Sequence, residues 1–203
     1  MADYNDYYII KTKTPPDVYY TNYVLKYKMY QRNIHDSNCK VIKKYYPDQC
    51  LGIAMIYAYG MYHQAYRVPE SDIRNAYSKG SYFKPYSNKN KQAILNIIYN
   101  ELVQNKPVVL QVNGNSKGTS RHYLTVVGFK KSIQKASDLT SEKQLYIMDS
   151  FPKQKVKCAT KATENASAGG FLSLERRGRY MIPGYSCGSS PMYQYGYQVY
   201  LIH

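Results

Sequence analysis

Pro47-Asp-Gln-Cys-Leu-Gly-Ile-Ala-Met-Ile-Tyr-Ala-Tyr-Gly60 opens the clearest helix in the chain, predicted to run to about residue 63. Asp48 has the side chain of a good N-cap, and Cys50, Ala54, Tyr57 and Met61 recur at helical spacing on one face. This reading puts Cys50 at the second position of the helix. Backbone N–H groups there have no intrahelical partner, and the positive end of the helix dipole favours a thiolate. The Cys50 N–H is itself free to bind an oxyanion.

Downstream, a short helical piece is expected at residues 70–77, a loop at 80–90, and a second long helix at 91–105. In that helix Ile94, Leu95, Ile98 and Leu102 keep the same period. The pattern then changes to strands at 107–112, 121–130 and 143–149, with a long polar turn at 113–120. The tail, rich in Gly and Pro, offers strands only at 171–174 and 198–202. Upstream, residues 1–46 are Tyr-rich, broken by Pro15-Pro16, with short strands possible at 7–11 and 23–29. Helices first and a probable antiparallel sheet second make an α+β protein rather than an alternating α/β one. A single domain over 1–203 is expected, with an extension at 1–44, a core at 45–152 and loop-rich strands at 153–203.

Two polar residues sit at notable places in the strands. His122 begins a strand in which His122, Leu124, Val126 and Gly128 share a face, and in the next strand Leu145, Ile147 and Asp149 do the same. If the two strands are neighbours, Asp149 can hydrogen-bond one imidazole nitrogen and leave the other for a thiol. Nucleophilic catalysis requires that geometry.

The formal charge of +15, with 28 Lys and Arg against 13 Asp and Glu, attracts polyanions such as nucleic acid or an anionic cell wall. The basic residues lie in short groups with no polybasic arm, which describes a solvated basic face. Lys outnumbers Arg 21 to 7 among abundant Asn, Ile and Tyr, a bias of AT-rich genomes. The four cysteines, Cys39, Cys50, Cys158 and Cys187, have no close pair of the zinc or redox kind, and no metal or cofactor is expected. His35 and Cys39 would lie one turn apart on a helix, two ligands without a second pair. A Cys158–Cys187 disulfide is the one bridge considered. No apolar stretch approaches the ~20 residues of a membrane helix. The acidic, polar start lacks a secretory signal, so the expected location is cytoplasmic where the protein is made, with delivery by a phage particle or secretion machinery left open.

The segment 47–60 resembles the nucleophile helix of papain-fold cysteine peptidases, in particular the double-glycine (bacteriocin-processing) peptidase-like branch. Arg121-His-Tyr-Leu-Thr-Val-Val-Gly-Phe129 is similar to that family's histidine strand, and Leu145-Tyr-Ile-Met-Asp-Ser-Phe-Pro152 to its aspartate strand. The resemblance covers about residues 45–152. It implies a papain-like fold, a nucleophile helix packed on an antiparallel sheet, and hydrolysis of peptide or amide bonds through a thioester. Cys50 would be the nucleophile, His122 the base and Asp149 the residue that orients it. The family places a Gln about two helical turns before the Cys to complete the oxyanion hole. Here that stretch reads Lys43-Lys44-Tyr45-Tyr46. Lys44 and Gln49 are the substitutes considered for it, with Asn38 behind them.

Three other readings use the same sequence. The triad could act on peptidoglycan crosslinks as a lysin or antibacterial toxin. The fold could be a catalytically silent structural or interaction protein, such as a virion component, with Tyr-rich contact surfaces. A nucleic-acid-binding module would need a clustered basic face with aromatic platforms.

Overall fold

The structure is a computed structural model that describes residues 4–35, 41–45, 49–63, 82–113, 121–150, 170–177 and 197–203. The segments expected as helix at 70–77 and as turn at 114–120, together with Asn38, Cys39, Asp48, Cys158 and Cys187, lie outside the described residues. The fold is α+β. Its strands are β1 (Tyr7–Ile9), β2 (Arg32–His35), β3 (Val41–Tyr45), β4 (Phe83–Asn88), β5 (Val108–Asn113), β6 (Arg121–Lys130), β7 (Leu145–Asp149), β8 (Gly170–Ser173) and β9 (Tyr197–Ile202). The helices that matter below are α1 (Pro16–Tyr19), α2 (Cys50–Tyr62) and α3 (Lys91–Val103).

Seven of the described strands form one sheet in the order β4-β9-β5-β6-β7-β8, with β1 also paired to β6; β2 and β3 pair separately. Every one of these pairings is antiparallel. β6 is the hub: β5 pairs its first half up to Val126, and β1 pairs the continuation from Gly128 to Lys130. An irregularity between Val126 and Gly128 marks the handover. Gly128 is required there, because a Cβ would run into the carbonyl oxygen of Tyr8.

α2 lies against β6, β5 and β7. Its Leu51, Ala54, Met55 and Ala58 pack with Phe83, Val109, Tyr123 and Ile202. Its Ile53, Ile56, Tyr57 and Met61 join the main core with Ile94, Leu95, Ile98 and Leu102 of α3. Ten of its residues are buried, so α2 is apolar nearly all round instead of one-faced as the spacing suggested. Gln49 stands at the N-cap, with no side-chain cap bond. A cap is worth ~1 kcal/mol, less than the ~1.5–3 kcal/mol from burying a single large aliphatic side chain, so packing carries this helix.

α3 matches its sequence expectation and shows why it stops where it does. Asn90 caps it by accepting from Gln92 N and Ala93 N. At the other end Asn105 takes φ 60°, and Lys106 N donates to Glu101 O while Asn105 N donates to Leu102 O, a Schellman closure.

Three expectations fail. Residues 23–29 are not a strand: Pro16 begins α1, and helical backbone of π type continues through Tyr20–Leu25. Proline at the first helical position preorganises that turn, and Tyr19 and Val24 are then fully buried. The stretch at 80–90 contains β4, an edge strand with mostly exposed side chains that pairs with β9. Its Pro85 is tolerated because an edge strand can leave an N–H unused. His35 lies in β2, not on a helix beside Cys39.

The N-terminal extension is not a separate appendage. β1 joins the sheet, and Tyr7, Ile10, Tyr19, Val24 and Met29 belong to the main core. Gly60 of α2 leaves the room for Tyr19, whose ring would lie 2.6 Å from a Cβ there.

Candidate active site

Cys50 is the first residue of α2, one position earlier than expected, and its thiol is free and half-buried. Thr125 Oγ1 of β6 donates to Ala54 O at 2.8 Å and ties the first turns of this helix to the sheet.

His122 lies near the start of β6, paired with Val112, and Asp149 ends β7, paired with Leu124. Cross-strand partners point to one face and faces alternate along a strand, so His122 and Asp149 are diagonal neighbours on the same face. Their side chains meet: His122 Nε2 is 2.6 Å from Asp149 Oδ1. Both are buried, at 7% and 1% exposure. Cys50 acts on the same imidazole and is among the groups that raise its pKa. Asp149 holds Nε2, which leaves Nδ1 for the sulfur.

The electrostatics follow from this arrangement. Burial by itself lowers the His122 pKa, but the Asp149 charge and hydrogen bond, aided by Cys50, outweigh it and raise it from 6.5 to about 10. The imidazole is therefore protonated at neutral pH, a cation between a carboxylate and a thiol. Tyr57 of α2 is fully buried, and its phenol pKa is driven well above the ordinary value by burial, then by neighbouring tyrosines and by the Asp149 charge.

Of the oxyanion candidates, Gln49 directly precedes Cys50. Its Oε1 is buried with no hydrogen-bond partner among the described residues. Lys44 lies in β3, its Cα paired with Asn33. The described stretch before Gln49, Val41–Tyr45, is a strand and carries no Gln.

Sequence reasoning missed three contacts around these residues. Tyr123 donates to Gln111 Oε1 at 3.0 Å. Ser150, next to Asp149, donates through Oγ to Gln31 Oε1 at 3.1 Å, and Gln31 N donates to Ser150 O at 2.7 Å. Gln31 carries no local signal, because its partner lies 119 positions away. Ser150 is foreshadowed only by following Asp149.

Among the described residues no cluster of His, Cys, Asp and Glu could hold a metal ion, and no helix is long and apolar enough to cross a membrane. No protein-family model, no curated protein and no solved structure matches the chain.

Proposed function

We propose that the chain is a papain-like cysteine hydrolase that cleaves peptide or amide bonds through a thioester. The observation that supports this reading is the convergence of a thiol at a helix N-terminus, a buried imidazole that feels it, and a buried carboxylate 2.6 Å from that imidazole. Cys50 attacks carbonyl carbon as the thiolate, with the cationic His122 beside it holding the proton. Sγ bonds to that carbon, and the carbonyl electrons move to oxygen. Collapse breaks the C–N bond as the leaving nitrogen takes the proton from His122. The now neutral imidazole removes a proton from water, whose oxygen attacks the thioester carbon and displaces Sγ. Asp149 keeps the ring oriented and its positive charge matched through both halves.

The N–H of Cys50 supplies one oxyanion donor, and the carboxamide of Gln49 or the ammonium of Lys44 supplies the second. The unpaired Oε1 of Gln49 also suits an amide substrate. A buried acceptor without a partner costs ~1–3 kcal/mol, which a substrate N–H arriving beside Cys50 would remove.

The test pairs labelling with turnover. A peptidyl electrophile should modify Cys50 faster than Cys39, Cys158 and Cys187 at neutral pH, read by mass spectrometry. Cys50→Ala should then abolish hydrolysis of whichever peptide or muropeptide is cleaved. Equal labelling of all four thiols, or turnover that survives Cys50→Ala, sinks the reading.

A specific observation favours a second reading, a catalytically silent relative acting as a structural or interaction protein. The stretch before Cys50 lacks the Gln that the resemblance calls for. Fast labelling of Cys50 without turnover on any peptide or muropeptide is the outcome that selects it. The +15 charge leaves an anionic wall polymer as the substrate context within the enzyme reading.

A further inference from the structure

Asp149 is the last residue of β7, paired with Leu124 of β6 and Gly170 of β8, and the ladder ends with it, so the next residue, Ser150, has no strand partner in that register. A carboxylate there stays on its histidine only if the chain just beyond it is held. The hold comes from the N-terminal extension. Gln31 grips the next residue, Ser150, at two points: its N–H donates to the Ser150 carbonyl at 2.7 Å, and its side-chain oxygen accepts from the Ser150 hydroxyl at 3.1 Å. Gln31 is 8% exposed and Ser150 1%, so losing either partner strands a buried polar group.

Two residues earlier, the Met29 carbonyl accepts from the Tyr57 hydroxyl of α2. Residues 29–31 therefore join the helix that bears Cys50 to the end of the strand that bears Asp149. The chain is bent into this place on purpose. Lys28 takes the left-handed φ of 52°, rare for a side-chain-bearing residue, while Met29 N donates to Val24 O and Lys28 N to Leu25 O to close the preceding helical segment.

We infer that Gln31 is a positioning residue for this triad: through Ser150 it fixes the carboxylate of Asp149 on His122. The Tyr-rich extension is then part of the active site's frame and not an accessory contact surface. The catalytic meaning of the inference rests on the proposed function, but its test does not.

The test reads the His122 imidazole by NMR titration in the full chain, for the wild type, Gln31→Leu, Ser150→Ala and the double variant. Leu removes the acceptor at similar size and leaves the Gln31 backbone bond intact. Each single change should lower the apparent His122 pKa by about one unit, a tenfold change in proton affinity, as Asp149 loosens. The double variant should add nothing further, since both changes break one contact. If Gln31→Leu does not fold, Ser150→Ala alone decides, because it removes only a hydroxyl. A His122 titration unchanged in the folded variants, or additive shifts in the double, overturns the inference. Turnover is not needed for any of these outcomes. A chain that hydrolyses nothing yet shows the coupled shifts loses the hydrolase reading and keeps Gln31 as the anchor of the pair.

Discussion

Asp149 Oδ1 lies 2.6 Å from His122 Nε2, with both side chains buried. Burial opposes charge on the imidazole, yet the carboxylate holds its pKa up at about 10. The pair therefore sits in the interior as an ion pair at neutral pH, a costly arrangement unless its geometry is kept.

That balance sets a pH dependence of stability. His122 binds its proton more tightly in the folded state than at its ordinary 6.5, so the linked stabilisation is complete below 6.5 and drains away as pH rises to about 10. The urea midpoint of the wild type should fall across this window. Asp149→Asn should be less stable at neutral pH by about 3–5 kcal/mol and should show a flatter profile over the same range. A wild-type midpoint that climbs between 6.5 and 10 would contradict the charge assignment.

The anchoring of α2 gives a smaller, sharper test. Thr125 is fully buried, and its hydroxyl donates to Ala54 O, a carbonyl already engaged in α2. Thr125→Val keeps the shape and removes the bond, so it should cost about 1 kcal/mol in urea unfolding. It should also slow alkylation of Cys50, because α2 loses a tether close to its N-terminus. Unchanged stability with unchanged Cys50 reactivity would show that packing alone seats the helix.

Gly128 controls how the extension docks. A methyl group there collides with the Tyr8 carbonyl, so Gly128→Ala must push β1 away from β6. The expected result is a loss of roughly 1–3 kcal/mol, and cleavage within residues 4–31 under limited proteolysis that the wild type resists. Because Gln31 follows β1 in the same extension, Cys50 labelling should slow as well. Intact β1 protection in the variant would mean that the bulge can absorb the methyl.

The placement of Cys50 at a helix start and the meeting of His122 with Asp149 were legible in the sequence because their signals are local. A thiol at a helix start, and a His and an Asp on two strands with clean alternation, need only the pairing of neighbours in the chain to meet. α3 was legible for the same reason, from its period. The rest depends on partners far away. β4 pairs with β9 more than a hundred positions later, so its exposed side chains and Pro85 read as loop. Residues 23–29 carry the Tyr and Val content of a strand, but Pro16 and the burial of Tyr19 and Val24 commit the chain to helical backbone. Gln31 and Ser150 show nothing until both ends of the domain are folded.

The oxyanion hole is the part of the candidate site with the most at stake, and stability separates the options even before rates do. The tetrahedral intermediate carries a full charge on oxygen, and losing one of two donors costs ~100- to 1000-fold in rate. Gln49 adjoins Cys50, and its Oε1 is buried with no hydrogen-bond partner among the described residues. Truncating it removes an unsatisfied acceptor, so Gln49→Ala should gain stability, by up to ~1–3 kcal/mol, while kcat falls and KM changes little. Such a variant, slower but harder to unfold, is the mark of a group held ready for its substrate. Lys44 in β3 predicts the opposite pattern: Lys44→Ala loses at least tenfold in rate with no gain in stability, and Lys44→Gln restores it by returning a carboxamide to the stretch before the Cys. If Gln49→Ala is both slower and more stable while Lys44→Ala is neutral, the second donor is Gln49. If both substitutions leave kcat alone, the Cys50 N–H stabilises the oxyanion without help from either, and the enzyme is intrinsically slow.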